Sequence, residues 1–149
     1  MFGTLAFGRT STMVTIKYLL DTNTCIQLLT NRSVTVKQRF WSHPPCNFKL
    51  CSVVKAELEY GARHSQRVTE NLALLEKFYV PLESFAFDDL SAKQYAIIRE
   101  ELARQGKPIS HNDLMIAAIA KNHQLTLVTH NTKEFGRVTG LTIEDWEND

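Results

Sequence analysis

Four polar side chains with metal-binding chemistry stand at predicted helix starts or strand ends: Asp21, Glu57, Asp113 and Asn131. Asp21 follows directly on an apolar run in the stretch YLLDTNTCI. Carboxylate and amide oxygens are the ligands that hard cations prefer, and a cation would offset the repulsion between three carboxylates. Mg²⁺ or Mn²⁺ in such a site binds a phosphate oxygen and lowers the pKa of a water molecule. That chemistry hydrolyses phosphodiester bonds without a nucleophilic side chain.

Each of the four residues also has a purely structural explanation. Asp21 can cap the helix that follows it, and Ser110 with Asp113 fits the signature of a helix start. Asn131 belongs to a residue type that is common in turns, and Glu57 can lie at the edge of an exposed helix face. Capping and metal binding are compatible, so both remain open for these residues.

Two glutamates on one predicted helix have different surroundings. Lys55 and Arg63 lie four residues before and after Glu59, which predicts a solvated ion-pair position. Glu57 has no basic partner on its helix, and a partly buried acid without a partner is unfavourable unless a cation is near. We therefore expect Glu57, and not Glu59, to belong to the site.

Apolar periodicity predicts a series of strands separated by helices. Strands are expected in residues 15–20, 47–53, 80–87, 125–130 and 140–146. Helices are expected to begin at Asp21 or Thr22, near 33, at a Ser52 cap, and near 69, 88, 110 and 131. This alternation predicts an α/β fold with helices on both faces of a parallel sheet of four to five strands. In such a sheet, ligand sites lie at the carboxyl ends of the strands.

The composition is that of one ordinary globular domain. The chain has 149 residues, of which 44% are hydrophobic and 22% charged. Residues 1–14 show no sustained period and are expected to be a disordered extension before a single domain over 15–149, with Met13 as an alternative start. Residues 144–149 hold four acids, which leaves 17 basic and 12 acidic residues over 1–143, a body that could meet a polyanion.

Several other functions are excluded or disfavoured by the sequence. No apolar run could span a membrane, and no signal peptide is recognisable. Three cysteines without CxxC spacing argue against a disulfide scaffold or zinc site and suit the cytoplasm. We expect all three to be small buried hydrophobic residues. No glycine-rich phosphate loop and no GxSxG motif occur.

The ordered motifs of the chain resemble those of the PIN-domain ribonucleases, specifically the VapC toxins of bacterial type II toxin–antitoxin modules. The resemblance covers about residues 16–147 and rests on four stretches: LLDTN, SVVKAELEYGA, GKPISHNDLMIAAIA and LTLVTHNTKEFGRVTGLTIEDW. It implies a Mg²⁺-dependent endoribonuclease, with Mn²⁺ as an alternative ion, built as a PIN-like three-layer α/β/α fold. Family members commonly cleave structured RNA, often transfer RNA in the anticodon region.

The resemblance also assigns roles to individual residues. It implies that Asp21 and Asp113 bind the metal directly and that Glu57 acts through water or on a second ion. Asn131 takes the fourth position, where its lack of charge puts tight binding of a second metal in doubt. The supporting residues it implies are Thr22, Asn23 and Thr129.

The resemblance implies two protein partners, namely a second copy of the chain in a homodimer and a small antitoxin. The antitoxin would block the groove, and DNA would be bound only indirectly, through the antitoxin. Three rival functions are weaker. A phosphatase of the haloacid dehalogenase type needs an acid where Asn23 stands, a receiver domain needs an acidic pair, and a PIN-like binding module would not need all three acids.

Overall fold

The computed structural model of the protein describes residues 15–147, so the expectation for residues 1–14 lies outside the described residues. The sheet has five strands: β1 (Tyr18–Leu20), β2 (Phe48–Cys51), β3 (Glu83–Phe85), β4 (Thr126–Val128) and β5 (Ile143–Glu144). Their order across the sheet is β3-β2-β1-β4-β5, and every neighbouring pair is parallel. The predicted parallel α/β fold is therefore confirmed, with five strands.

Seven α-helices flank the sheet in the described part of the chain. They are α1 (Thr22–Thr30), α2 (Val34–Trp41), α3 (Ser52–Arg63), α4 (Val68–Tyr79), α5 (Asp89–Arg104), α6 (His111–Asn122) and α7 (Thr132–Phe135), with a 3-10 turn at Pro45–Asn47. Helix α1 packs on α2 and α3, α3 packs on α4, and α5 packs on α6. None of these helices is both long enough and apolar enough to cross a membrane.

The central strand β1 is short and entirely buried, as its apolar sequence predicts for a strand with neighbours on both sides. It pairs with β2 through Tyr18 opposite Phe48, and with β4 through Tyr18 opposite Thr126. The Asp21 N–H continues the second pairing by donating to the Val128 carbonyl at 3.1 Å. Asp21 therefore lies at the carboxyl edge of the sheet, beside the end of β4.

The core is formed by apolar residues of the strands and of the helices that flank the sheet. Trp146 is 1% exposed and contacts Tyr18 and Phe48 edge-on. Such aromatic pairs add to the free energy gained from the area they bury. Trp146 follows β5 closely, so this contact holds the last strand against the centre of the sheet.

Two local expectations about α3 are wrong. Ser52 is not the N-cap: Cys51 occupies that position without a side-chain bond, and the Ser52 hydroxyl accepts from the Phe87 N–H at 3.1 Å. Glu59 makes no ion pair with Lys55 or Arg63 within residues 15–147, because its carboxylate accepts from the Tyr79 hydroxyl at 2.8 Å. A partner on another helix has replaced the expected partners on the same helix.

The cysteines are free, as the sequence predicts. Cys25 and Cys51 are fully buried, which confirms their interpretation as small core residues. Burial raises the pKa of the Cys51 thiol to about 11, so this group stays a neutral thiol. Cys46 is exposed, so for this residue the expected burial is wrong.

Candidate active site

A single small cavity at the carboxyl edge of the sheet brings the predicted site residues together. Its volume is about 200 Å³. Its walls are formed by Asp21, Thr22, Asn23, Glu57, Asp113, Ile116, Asn131 and Phe135. These residues come from α3, α6 and the segments that follow β1 and β4. The parallel topology therefore gathers positions that are up to 114 residues apart in the chain, as Asp21 and Phe135 are.

Asp21 caps α1 and lines the cavity at the same time. Its Oδ1 accepts from the Thr24 N–H at 2.8 Å, and the residue is only 7% exposed. Burial raises the pKa of the Asp21 carboxyl, although hydrogen bonds from Thr129 and Thr24 act in the opposite direction. The two interpretations of Asp21, a cap and a possible metal ligand, are compatible in one geometry.

Glu57 is held in place by two hydrogen bonds from other elements. Its Oε1 accepts from the Thr22 hydroxyl at 2.5 Å, and its Oε2 accepts from the Asn112 amide at 3.2 Å. Both donors are neutral, so these two hydrogen bonds orient Glu57 without placing a positive charge beside it. Thr22 thus has a defined contact with Glu57, and the supporting role implied for it stays a prediction.

Asp113 lies in the first turn of α6, where its backbone N–H donates to the Ser110 hydroxyl at 3.2 Å. The predicted capping by Ser110 is confirmed. Burial is the largest cause that raises the pKa of the Asp113 carboxyl, and the charges of Glu134, Glu57 and Asp21 raise it further. The charged side chains that shift this group are all carboxylates.

Asn131 and Thr129 lie just beyond the end of β4. Asn131 stands at the N-cap of α7 but makes no side-chain capping bond there. Its backbone N–H instead donates to the Thr129 hydroxyl at 2.9 Å, while Thr129 itself is 1% exposed. Thr129 therefore braces the turn that brings Asn131 to the cavity.

Sequence reasoning missed two contributors to the site. Thr24 is buried, donates its N–H to Asp21 and donates its hydroxyl to the Val128 carbonyl at 3.2 Å. Glu134 is close enough to raise the pKa of Asp113. The available signals were weak: Thr24 stands three residues after the capping Asp21, and Glu134 stands three residues after Asn131.

A separate group of metal-ligating side chains comprises His130, Asp145 and Glu147, whose ligand atoms lie within 4.8 Å of one another. His130 Nδ1 is 3.0 Å from an Asp145 carboxylate oxygen and 3.7 Å from one of Glu147. The Glu147 charge also raises the pKa of Asp21. This group is distinct from the acids of the cavity, but it adds negative charge beside them.

The donor set of the cavity fits a hard divalent cation. Three carboxylates and the amides of Asn23 and Asn131 line the cavity. The pKa values of Asp21 and Asp113 are raised because their charged forms are buried beside other acids. Partly buried anions of this kind are unfavourable without a counter-charge. Oxygen-only ligands favour Mg²⁺ or Mn²⁺ over softer metals.

Comparisons with known proteins identify the family of the chain. The PIN-domain family model matches residues 18–141. The chain is 43% identical over 133 residues to the tRNA(fMet)-specific endonuclease VapC of Shigella flexneri, covering 88% of this chain and 98% of that protein.

Solved structures give the same result. The crystal structure of DNA-bound VapBC from Salmonella typhimurium contains a chain that is 40% identical, with a TM-score of 0.82 and coverage of 88% and 98%. VapBC2 from Rickettsia felis bound to a promoter fragment gives 32% identity and a TM-score of 0.80, with coverage of 88% and 99%. The chain therefore belongs to the PIN-domain family and, within it, to the VapC toxins, the endoribonucleases of VapBC toxin–antitoxin systems.

Proposed function

We propose that this chain is a divalent-metal-dependent endoribonuclease whose activity depends on Asp21, Glu57, Asp113 and Asn131. The observation that carries the proposal is their convergence in one cavity. The raised pKa values of Asp21 and Asp113 support it, because acids that have no basic partner among residues 15–147 suit a cation. Mg²⁺ is the expected ion, and Mn²⁺ has the same ligand preference.

In this proposal the four named polar residues of the cavity have different roles in RNA cleavage. Asp21 and Asp113 would hold the ion, which would supply Lewis-acid stabilisation of the phosphate and a water of lowered pKa. Glu57, fixed by Thr22 and Asn112, accepts a proton from or orients the attacking water. The Asn131 amide donates or accepts a hydrogen bond near that water without adding charge.

The proposed substrate is a structured RNA, and specifically transfer RNA. The support is the Shigella relative, which is named as specific for tRNA(fMet) and is matched over 88% of this chain. An RNA target and three free cysteines also support activity in the cytoplasm.

The proposed inhibitor is a small antitoxin that docks beside the acids. An apolar cavity of about 290 Å³ lies between α1, α3 and α4 and includes Glu57 in its wall. Its apolar lining is formed by Ile26, Leu29, Leu58, Ala62, Leu74 and Leu75. An apolar segment seated there would reach the Glu57 edge of the active site and block substrate. DNA binding would then come through the antitoxin, and the homodimer implied by the family resemblance stays a prediction.

Cleavage of initiator tRNA by purified protein tests the proposal. The wild-type protein should cut the transcript at a defined bond when Mg²⁺ or Mn²⁺ is present and should be inactive in EDTA. Asp113→Asn should be inactive in both conditions while giving a wild-type circular dichroism spectrum. Metal-independent cleavage, or cleavage by the Asp113→Asn protein, would overturn the proposed mechanism. Activity on another RNA alone would overturn only the proposed substrate.

A further inference from the structure

A second cavity adjoins the acidic one and has a different character. Its volume is about 440 Å³, and it is lined by Thr22, Ala56, Glu57, Tyr60 and Asn112. The two cavities share Thr22 and Glu57. A molecule that places a phosphate at the acids would therefore continue into this second cavity. Its volume falls in the range of roughly 300–1,000 Å³ found for small-ligand sites, which is enough for a nucleotide.

An exposed aromatic pair forms one side of this second cavity. Tyr60 is 68% exposed, and its ring lies parallel to that of His64, with centroids 5.5 Å apart and an interplanar angle of 11°. Glu57, Tyr60 and His64 are spaced by three and four residues on and just beyond α3, so they share one helix face. The phenol ring is thus held by a neighbouring ring beside an acid of the site.

The polar groups of the cavity suit a ribonucleotide. Asn112 uses one amide N–H on Glu57, and its amide group carries a second N–H and a carbonyl oxygen. An exposed amide of this kind can bond to a base edge or to a ribose 2′-hydroxyl. Aromatic rings bind the faces of unstacked bases in many RNA-binding proteins, since every base has a π-face.

We propose that Tyr60, supported by His64, is a stacking platform for the base of a nucleotide next to the scissile phosphate, with Asn112 contacting the same nucleotide. The inference rests on the proposed function, because it assigns a substrate subsite to that endoribonuclease. The platform requires the target nucleotide to leave its own stack. It therefore selects single-stranded or loop positions in a structured RNA and disfavours paired ones.

Kinetics of Tyr60 variants on initiator tRNA are the first arm of the test. Tyr60→Ala should raise KM by roughly 10- to 100-fold, the loss expected for one base–aromatic stack. Tyr60→Phe and Tyr60→Trp should keep KM near the wild-type value because they keep a π-face. Trp41→Ala is the matched control, since Trp41 is 69% exposed on α2 and does not line the cavity. It should leave KM unchanged.

Stacking itself is the second arm, measured with a short oligouridylate that carries one 2-aminopurine. Binding to the inactive Asp113→Asn protein should quench the fluorescence of the probe, and adding Tyr60→Ala to that protein should abolish the quenching. Equal quenching with and without Tyr60, or no quenching by either protein, would overturn the platform.

The two arms separate failure of the platform from failure of the proposed function. A wild-type protein that leaves initiator tRNA intact would refute the proposed substrate, while the fluorescence arm would still decide whether Tyr60 stacks a base. An active Tyr60→Ala protein with wild-type KM would overturn the platform alone. If that variant instead lost affinity only for its antitoxin, the ring would belong to a protein interface, which also overturns the proposal.

Discussion

The Thr22 hydroxyl donates a hydrogen bond of 2.5 Å to Glu57 Oε1, joining the start of α1 to the middle of α3 across 35 residues of sequence. Thr22 directly follows Asp21, so the same turn caps a helix, presents one acid and orients another. The bond places Glu57 beside the residue that follows Asp21, a proximity that the sequence could only suggest.

Replacing Thr22 by Val should lower kcat by roughly 10- to 100-fold, the usual effect of losing a group that orients a metal-site residue. The fold should remain, because Val is close in size to Thr. Thr30→Val removes a hydroxyl from the same helix. Within residues 15–147 that hydroxyl bonds only to the Ile26 carbonyl, so the variant should leave kcat unchanged. Equal losses in both variants would mean that the bond to Glu57 has no role in cleavage.

Neutralising the two glutamates of α3 should affect RNA cleavage to different extents. Glu57→Gln removes an acid from the cavity and should reduce cleavage by two or more orders of magnitude, on the order of the contribution of a general base. Glu59→Gln should stay within a few-fold of wild type, since its side chain faces the Tyr79 hydroxyl. A deep loss in Glu59→Gln would show that the wrong glutamate has been assigned to the site.

Asp21 should show separable capping and catalytic roles. Asp21→Asn and Asp21→Ala both remove the carboxylate, so both should abolish cleavage. Only Asn can still accept from the Thr24 N–H, so Asp21→Ala should be less stable than Asp21→Asn by about 1 kcal/mol. Urea unfolding of the two metal-free variants measures the difference, and equal stabilities would argue against a capping contribution.

The raised pKa of Asp113 predicts how the stability of the metal-free protein depends on pH. The folded carboxyl binds its proton more tightly than the unfolded one, whose pKa is near 3.8. Stability therefore falls as pH rises from that value through the raised pKa. Asp113→Asn lacks this loss, so its stability advantage over wild type should grow as the pH rises from about 3.8 through the raised pKa of Asp113. Thermal unfolding in EDTA measures it, and a constant difference across that range would contradict the predicted shift.

Metal binding should reverse the order of stability of these two proteins. A cation that binds only the folded state stabilises it by about 2.7 kcal/mol at a concentration of 100 times Kd. Mg²⁺ or Mn²⁺ should therefore raise the Tm of wild type and leave that of Asp113→Asn nearly unchanged. The readout does not require RNA. An equal rise in both proteins would place the bound ion elsewhere, and the His130, Asp145 and Glu147 group is the first alternative to test.

Local sequence determined much of the architecture. The apolar run at Tyr18–Leu20 is typical of a strand covered on both faces. The alternation of such strands with amphipathic helices is typical of a parallel sheet. Ser110 was recognisable as a cap because capping depends on residues three positions apart. Asp21, Asp113 and Asn131 were identifiable as candidates because they stand at the ends of their elements, and Glu57 because its helix offers it no basic partner.

Tertiary structure decided which polar side chains meet. The Glu57 contacts with Thr22 and Asn112, the bond from Tyr79 to Glu59, and the influence of Glu134 on Asp113 all join different elements. No helical or strand period encodes such contacts, because they depend on how the elements pack. The raised pKa values likewise depend on burial and on charges gathered from distant parts of the chain. The sequence by itself determined the helices and strands and the polar residues that they carry. Packing of those elements brought the polar residues together in one acidic cavity.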